Sequence, residues 1–424
     1  MSRGSNGGRP PTPTGSAPAA LEGVRVLDLT RLLPGGYCSM LLADLGADVL
    51  KVEDTGMGDY LRWSPPFHPG VEPSAASAVF AALNRGKRSV RLDLKDPEGR
   101  AAMLRLVREA DVLLESFRPG VMERLGLGPE VLLATNPRLV VCPITGYGQD
   151  GPARLRAGHD LNYLGLTGLL DLSGERDGPP VQSPTQLADI GGGALMAAVG
   201  VLAALLARGR TGRGQVVDVS MTHGASAWTV MAAAAFLCDG IPPERGDIAL
   251  GGGMVCYRPY RCADGWVTLG AVEEKFWRAF CLGAGAPDLL GHQHDPPGSA
   301  AHERLEGIFR ERGRDAWAAF GAEHDCCLEP VLTLEEALSS ELLHRRDAVV
   351  RLDVDGAQLP VDVPGFPIAL SDTPARPAGA SVPALGEHTR EVLLEAGLTE
   401  DDVERLLAQG TAAATTTATH VFHL

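Results

Sequence analysis

"VRVLDLTRLLPGGYCSMLLADLGADVLKVE" (residues 24–53) decides the fold. An apolar β-type run, VRVLDL (24–29), gives way to PGGYCSMLLADLGA (34–47), which opens on Pro and Gly and continues with helical spacing. DVLKVE (48–53) then reads as a second strand. Two strands joined through a helix run parallel, because a hairpin leaves no room for the crossover. The alternation continues downstream. DPEGRAAMLRLVREA (96–110) predicts a helix with Asp96 as N-cap and Pro97 in its first turn, where a missing N–H costs nothing. DVLLESF (111–117) and RLVVCPITGYG (138–148) read as further strands. The expectation is an α/β fold with a Rossmann-like parallel sheet. Gly35 and Gly36 do not complete a G-x-G-x-x-G pattern, so a dinucleotide site is unsupported.

At 424 residues the chain is too long for one ordinary domain. Expected boundaries are a disordered tail (1–20), a large domain (21–225), a linker helix and loop (226–250) and a smaller α+β domain (251–340). A return segment (341–410) packs on the large domain, and a second disordered tail (411–424) closes the chain. In the small domain GWVTLGAV (265–272) reads as strand and EEKFWRAFCLG (273–283) as helix. The run IGGGALMAAVGVLAALLA (190–207) reaches membrane-spanning length only by counting four glycines, and reads as a buried core helix.

Composition excludes some classes of function. A net charge of −15 argues against nucleic-acid and acidic-membrane partners, which need a basic surface. Eight cysteines without a C-x-x-C pair, and no secretory signal, point to reduced thiols in the cytoplasm. The vicinal pair Cys326–Cys327 is a weak redox candidate. GHQHD (291–295) offers no third ligand, so no metal site is expected, and Ser220 and Ser226 lack a nucleophile-elbow context.

Three groups stand out by position. AGHDLNYLGLTG (157–168) sets His159 beside Asp160; read alone, His159 is a turn residue. Asp189 precedes three glycines, Gly191, Gly192 and Gly193, at the start of an apolar helix where backbone N–H groups favour negative charge. An N-cap role is the bland alternative. Glu273 stands at a strand-to-helix junction, where ligand sites of α/β proteins form. Arg85, Lys87 and Arg88 in NRGKRS (84–89), with Arg118 in SFRPG, are either a phosphate anchor or a solvated run of charge.

Taken together, the ordered blocks resemble the class III CoA-transferase superfamily, and within it the alpha-methylacyl-CoA racemase branch. The carriers are LEGVRVLDLTRLLPGGYCSMLLADLGADVLKVE, LNRGKRSVRLDLKDPEGR, DVLLESFRPGVMERLGLGP, ITGYGQDGP, AGHDLNYLGLTG, LADIGGGALMAAVGVLAAL, GRGQVVDVSM and DGWVTLGAVEEKFW, spanning Leu21 to Gly410. The branch rests on GHD followed by Asn162-Tyr163, where transferases usually carry a tyrosine before the aspartate. The resemblance implies that His159 is one proton-transfer base. Asp189 is the second, or the acyl-bearing nucleophile of a transferase, and Glu273 pairs with the histidine. It further implies CoA phosphates on Arg85, Lys87, Arg88 and Arg118, and an enolate met by backbone N–H groups of Gly191–Gly193 or of the helix start at Asp189. An interlocked homodimer is also implied, with sites between the large domain of one chain and the small domain of its mate. The implied reaction is racemisation at the α-carbon of 2-methyl-branched acyl-CoA thioesters in cytoplasmic lipid metabolism, with no cofactor besides the CoA of the substrate. The alternatives are CoA transfer to a carboxylic acid through an aspartyl anhydride at Asp189, and acyl-CoA binding without catalysis.

Overall fold

The computed structural model describes residues 18–376 and 381–415 and divides the chain into two compact units. One comprises the chain up to Thr145, Ala194–Val219 and the part from Arg345 onward; the other comprises Gly146–Gly193 and Ser220–His344. The segment 146–193, expected in the large domain, thus belongs with the smaller one. The boundary is missed because the chain passes between units inside the helical run Ala188–Thr211, with no break in composition. Most of both expected disordered tails lies outside the described residues.

The larger unit is built on parallel strands β1 (Arg25–Asp28), β2 (Asp48–Glu53), β3 (Arg88–Leu92), β4 (Val112–Glu115) and β5 (Val140–Thr145), followed by the short β6 (Val219–Ser220). β4 and β5 are buried at every residue, which is why they read as unbroken apolar runs. The helix Leu32–Asp44 supplies the first crossover. Gly35 is required there: a Cβ would lie 2.1 Å from Cβ of Thr30, which follows β1. Asp96 caps the helix Pro97–Glu109 as expected, its Oδ1 accepting from the amides of Glu98 and Gly99.

In the smaller unit β7 (Tyr257–Arg261), β8 (Trp266–Gly270) and β9 (Leu328–Pro330) form an antiparallel sheet in sequence order. Its core is aromatic, with Tyr260, Trp277, Phe280, Phe309, Trp317 and Phe320 packed ring against ring. The expected linker contains the helix Val230–Asp239, which buries none of its residues.

The chain then returns to the larger unit. β10 (Val349–Leu352) and β11 (Val361–Pro364) pair as a hairpin. Helices Thr389–Glu395 and Glu400–Gln409 insert Val392, Leu393, Val403 and Leu406 into the core that holds Leu27, Val90, Leu113 and Val141. The expected tail begins instead with β12 (Ala412–Ala413), antiparallel to β3, which completes a sheet of order β12-β3-β2-β1-β4-β5-β6. Alanines pairing through backbone alone leave no trace in a sequence pattern. The strand order reverses between β1 and β4, and the segment bearing Arg118 leaves β4 at that switch point.

The expected core helix also differs. Met196–Thr211 buries Ala197, Ala198, Val201 and Ala204, while Val199, Leu202 and Leu206 are exposed. An apolar stretch this uniform cannot announce which face is covered. By length and composition the run Ala188–Thr211 could cross a membrane, with 39% of its most apolar window buried.

Candidate active site

The site is organised by a short helix, Asp160–Leu166. His159 precedes it in extended backbone (φ −129°, ψ 175°), and its side chain is exposed. Three side chains of the first helical turn tie down neighbouring backbone. Asn162 Oδ1 accepts from the His159 amide at 3.0 Å, and Tyr163 donates its hydroxyl to the Gly158 carbonyl at 2.6 Å. Asp160 Oδ1 accepts from the amides of Ala188 (2.6 Å) and Asp189 (3.0 Å). Gly158 is a packing requirement, since a Cβ there would come within 2.7 Å of both the Tyr147 hydroxyl and the Tyr163 ring.

Asp189 lies in a π-helical segment, Ala188–Leu195, that runs on into the α-helix Met196–Thr211. Such wide turns recur at functional sites because they redirect one side chain without ending the helix. Burial, and then the neighbouring charge of Asp160, push the Asp189 carboxyl up to about 7. The Asp189 charge contributes in turn to holding the Tyr163 phenol well above its ordinary range, behind burial as the larger cause.

The three glycines are closely packed. A Cβ on Gly191 would lie 2.5 Å from the Trp228 ring, one on Gly192 2.6 Å from the backbone of Met221 and Ala225, and one on Gly193 2.8 Å from the Met221 side chain. They let the helix Met221–Ser226 and Trp228 close directly onto the π-helical turn. All three lie inside the π-helical segment Ala188–Leu195. The contacts around Gly191–Gly193 are those of close packing.

Glu273 is the N-cap residue of the helix Glu274–Gly283, as expected of a strand-to-helix junction, and is exposed. Among the described residues its carboxylate makes no hydrogen bond to His159. Its charge instead reaches the exposed Cys327, whose thiol is raised first by burial and then by Glu273. A single chain does not form the His159–Glu273 pair.

Of the four expected phosphate anchors, three are held by carboxylates of the fold. Arg85 is buried, with Nη2 2.6 Å and Nε 3.2 Å from the Asp44 carboxylate. Lys87 is buried with Nζ donating to Ser39 (2.7 Å), Asn84 (2.8 Å) and Asp28 (3.2 Å). Arg88 is shared by Asp48, Glu391 and Glu395. Only Arg118 is exposed. A cationic run in sequence says nothing about where its counter-charges are; here they come from residues 40 or more positions away. Neither histidine of 291–295 belongs to a metal cluster: among the described residues no three His, Cys, Asp or Glu converge on a common point.

A model of the family described as CoA-transferase family III matches residues 21–389. The chain belongs to CoA-transferase family III. It is 38% identical to the alpha-methylacyl-CoA racemase of Mus musculus over 394 residues, covering 91% of this chain and 96% of that one. It is 36% identical to the succinyl-CoA:mesaconate CoA-transferase of Haloarcula hispanica over 390 residues, 89% of this chain and 97% of that one. Among solved structures, a CAIB/BAIF family protein from Brucella suis superposes with a TM-score of 0.77 at 32% identity, over 89% of this chain and all of that one. Relatives of this family III chain are enzymes of both kinds, racemase and transferase.

Sequence reasoning found His159 and Asp189 but passed over the groups that hold them. Asn162 and Tyr163 were visible as neighbours of GHD, and Asp160 reads as the structural member of its pair with His159, but what it holds is hidden because its amide partners lie 28 and 29 positions downstream.

Proposed function

We propose that the protein racemises the α-carbon of 2-methyl-branched acyl-CoA thioesters. The observation that carries this is the turn that holds both groups: Asn162 and Tyr163 fix the backbone at His159, and Asp160 of the same turn binds the amides of Ala188 and of Asp189, whose carboxyl burial raises to about 7. Racemisation requires one group to remove the α-proton from one face and another to return a proton on the opposite face, and both must work in either direction. A carboxyl that titrates near neutrality serves as acid or base equally well; an anhydride-forming nucleophile needs only its anion. His159 is the second group, an exposed imidazole on backbone fixed by Asn162 and Tyr163.

In one direction His159 takes the α-proton, the C–H electron pair moves into the thioester as an enolate, and protonated Asp189 delivers its proton to the other face. In the reverse direction the roles exchange. Protons move and electrons do not leave the substrate, so CoA enters only as part of the acyl-CoA. The Arg118 side chain is the remaining candidate for a CoA phosphate. A homodimer completes the reading. A second copy would bring its Glu273 to His159, and the exposed Val230, Met231, Leu237 and Ile241 are side chains that such a partner would cover.

The transferase relative at 36% identity keeps acyl transfer through Asp189 as the second reading. Incubating the protein with (R)- or (S)-2-methylacyl-CoA in deuterated water separates the two. The expected result is α-deuterium incorporation without acyl exchange to free carboxylates, lowered roughly 10²- to 10⁴-fold by His159→Ala or Asp189→Ala. Acyl transfer that survives His159→Ala and is lost in Asp189→Ala would establish the transferase. Neither activity across a panel of acyl chains would favour binding without catalysis.

A further inference from the structure

We propose that Asp160 is a positioning residue: through the backbone amides of Ala188 and Asp189, its carboxylate holds the second acid/base group against the helix that begins at the first. The inference builds on an acid/base role for Asp189. One oxygen, Oδ1, accepts both amides, at 2.6 Å and 3.0 Å, so the bond is made to the backbone that carries Asp189 and not to its side chain. The arrangement is that of a cap supplied from outside the helix, satisfying amides that a helix start leaves without partners. Asn162 and Tyr163 bind the His159 amide and the Gly158 carbonyl from the same helical turn. Both acid/base residues therefore hang from one helical turn, and among these bonds it is Asp160 that reaches the backbone of Asp189.

The same carboxylate has an electrostatic consequence. Its negative charge lies close enough to Asp189 to favour the protonated acid, adding to the effect of burial. The other titratable groups on the elements packed here are Tyr163, on the same helix as Asp160, His159 at its start, and His223 on the helix Met221–Ser226 that closes on Gly192. Trp228, against Gly191, is neutral. Asp160 is thus the acidic neighbour that raises Asp189.

Asp160→Ala removes both the acceptor and the charge, whereas Asp160→Asn removes the charge and keeps an oxygen for the amides, so the pair separates positioning from charge. Carbon-13 NMR of aspartate-labelled protein, with the Asp189 signal assigned through Asp189→Asn, reads the titration of Asp189 directly and needs no activity. The expected result is a midpoint lower by about one pH unit in both variants, with α-deuterium exchange at its optimum roughly tenfold or more lower in Asp160→Ala and largely retained in Asp160→Asn. Exchange retained equally in Asp160→Ala would overturn the positioning role, an unchanged midpoint in both variants would overturn the effect of its charge, and unfolding of both would make Asp160 a residue of the fold alone. Wild-type protein that shows no α-exchange would defeat the racemase reading and leave the titration to judge Asp160.

Discussion

Two buried carboxylates in this protein meet opposite fates. Asp28, at the end of β1, is fully buried; Asp189 is half-buried in the smaller unit. Burial pushes both upward. At Asp28 the ammonium groups of Lys51 and Lys87, at 4.0 and 3.2 Å, with hydroxyls from Ser39 and Thr30, outweigh it and hold the acid well below the usual carboxylate range. Asp59 completes the cluster, 2.9 Å from Lys51. At Asp189 the neighbour is another carboxylate, and the acid rises to about 7. Burial raises an acid unless cations and hydroxyl donors outweigh it, as they do at Asp28 and not at Asp189. One arrangement builds a permanent ionic cluster, the other a group that can trade a proton.

The sharpest way to break the contrast is to remove the anion at the centre of the cluster. Asp28→Asn leaves the buried Lys87 and Lys51 undercompensated, and a loss of about 3–5 kcal/mol is expected in urea unfolding at pH 7. A variant as stable as wild type would mean that the cluster contributes no net stability.

Glu115, at the end of β4, extends the comparison to an acid that no cation accompanies among the described residues. Burial raises it to about 7, the Phe117 amide opposes, and the charges of Glu123 and Asp218 add to the rise. Its folded pKa lies above the ordinary glutamate value of 4.5. The native state therefore binds the extra proton between those values, and stability falls as pH rises through that window. Glu115→Gln is expected to stabilise the protein by roughly 1–3 kcal/mol at pH 8.5 and to change little at pH 4, read as the difference in Tm at the two pH values. Equal effects at both would show that the carboxyl is not raised.

The smallest effect concerns caps. Asp96 and Asp160 each accept two backbone amides, but Asp96 caps the helix that follows it and lies far in sequence from any acid/base candidate. Asp96→Ala is expected to cost about 1 kcal/mol in thermal unfolding and to leave the Asp189 titration where it is. A shifted titration would mean that cap loss anywhere in the fold disturbs Asp189.

Sequence alone determined what depends on neighbours a few residues apart. The apolar runs of β1, β2, β4 and β5 and the crossover helices gave the parallel sheet, and Asp96-Pro97 marked a helix start. His159, Asp189 and Glu273 were recognisable by type and position. Tertiary structure decided what depends on distant partners. It turned Arg85 and Lys87 from candidate anchors into buried ion pairs, because Asp44 and Asp28 lie 41 and 59 positions away. It seated Trp228 and Met221 against Gly191–Gly193. It paired two alanines with β3 through backbone alone, and it carried Asp160 across 28 residues to the amides beneath Asp189. Hydrogen bonds and charges act through space over a few ångströms, and sequence spacing measures that distance only within a helical turn or along one strand.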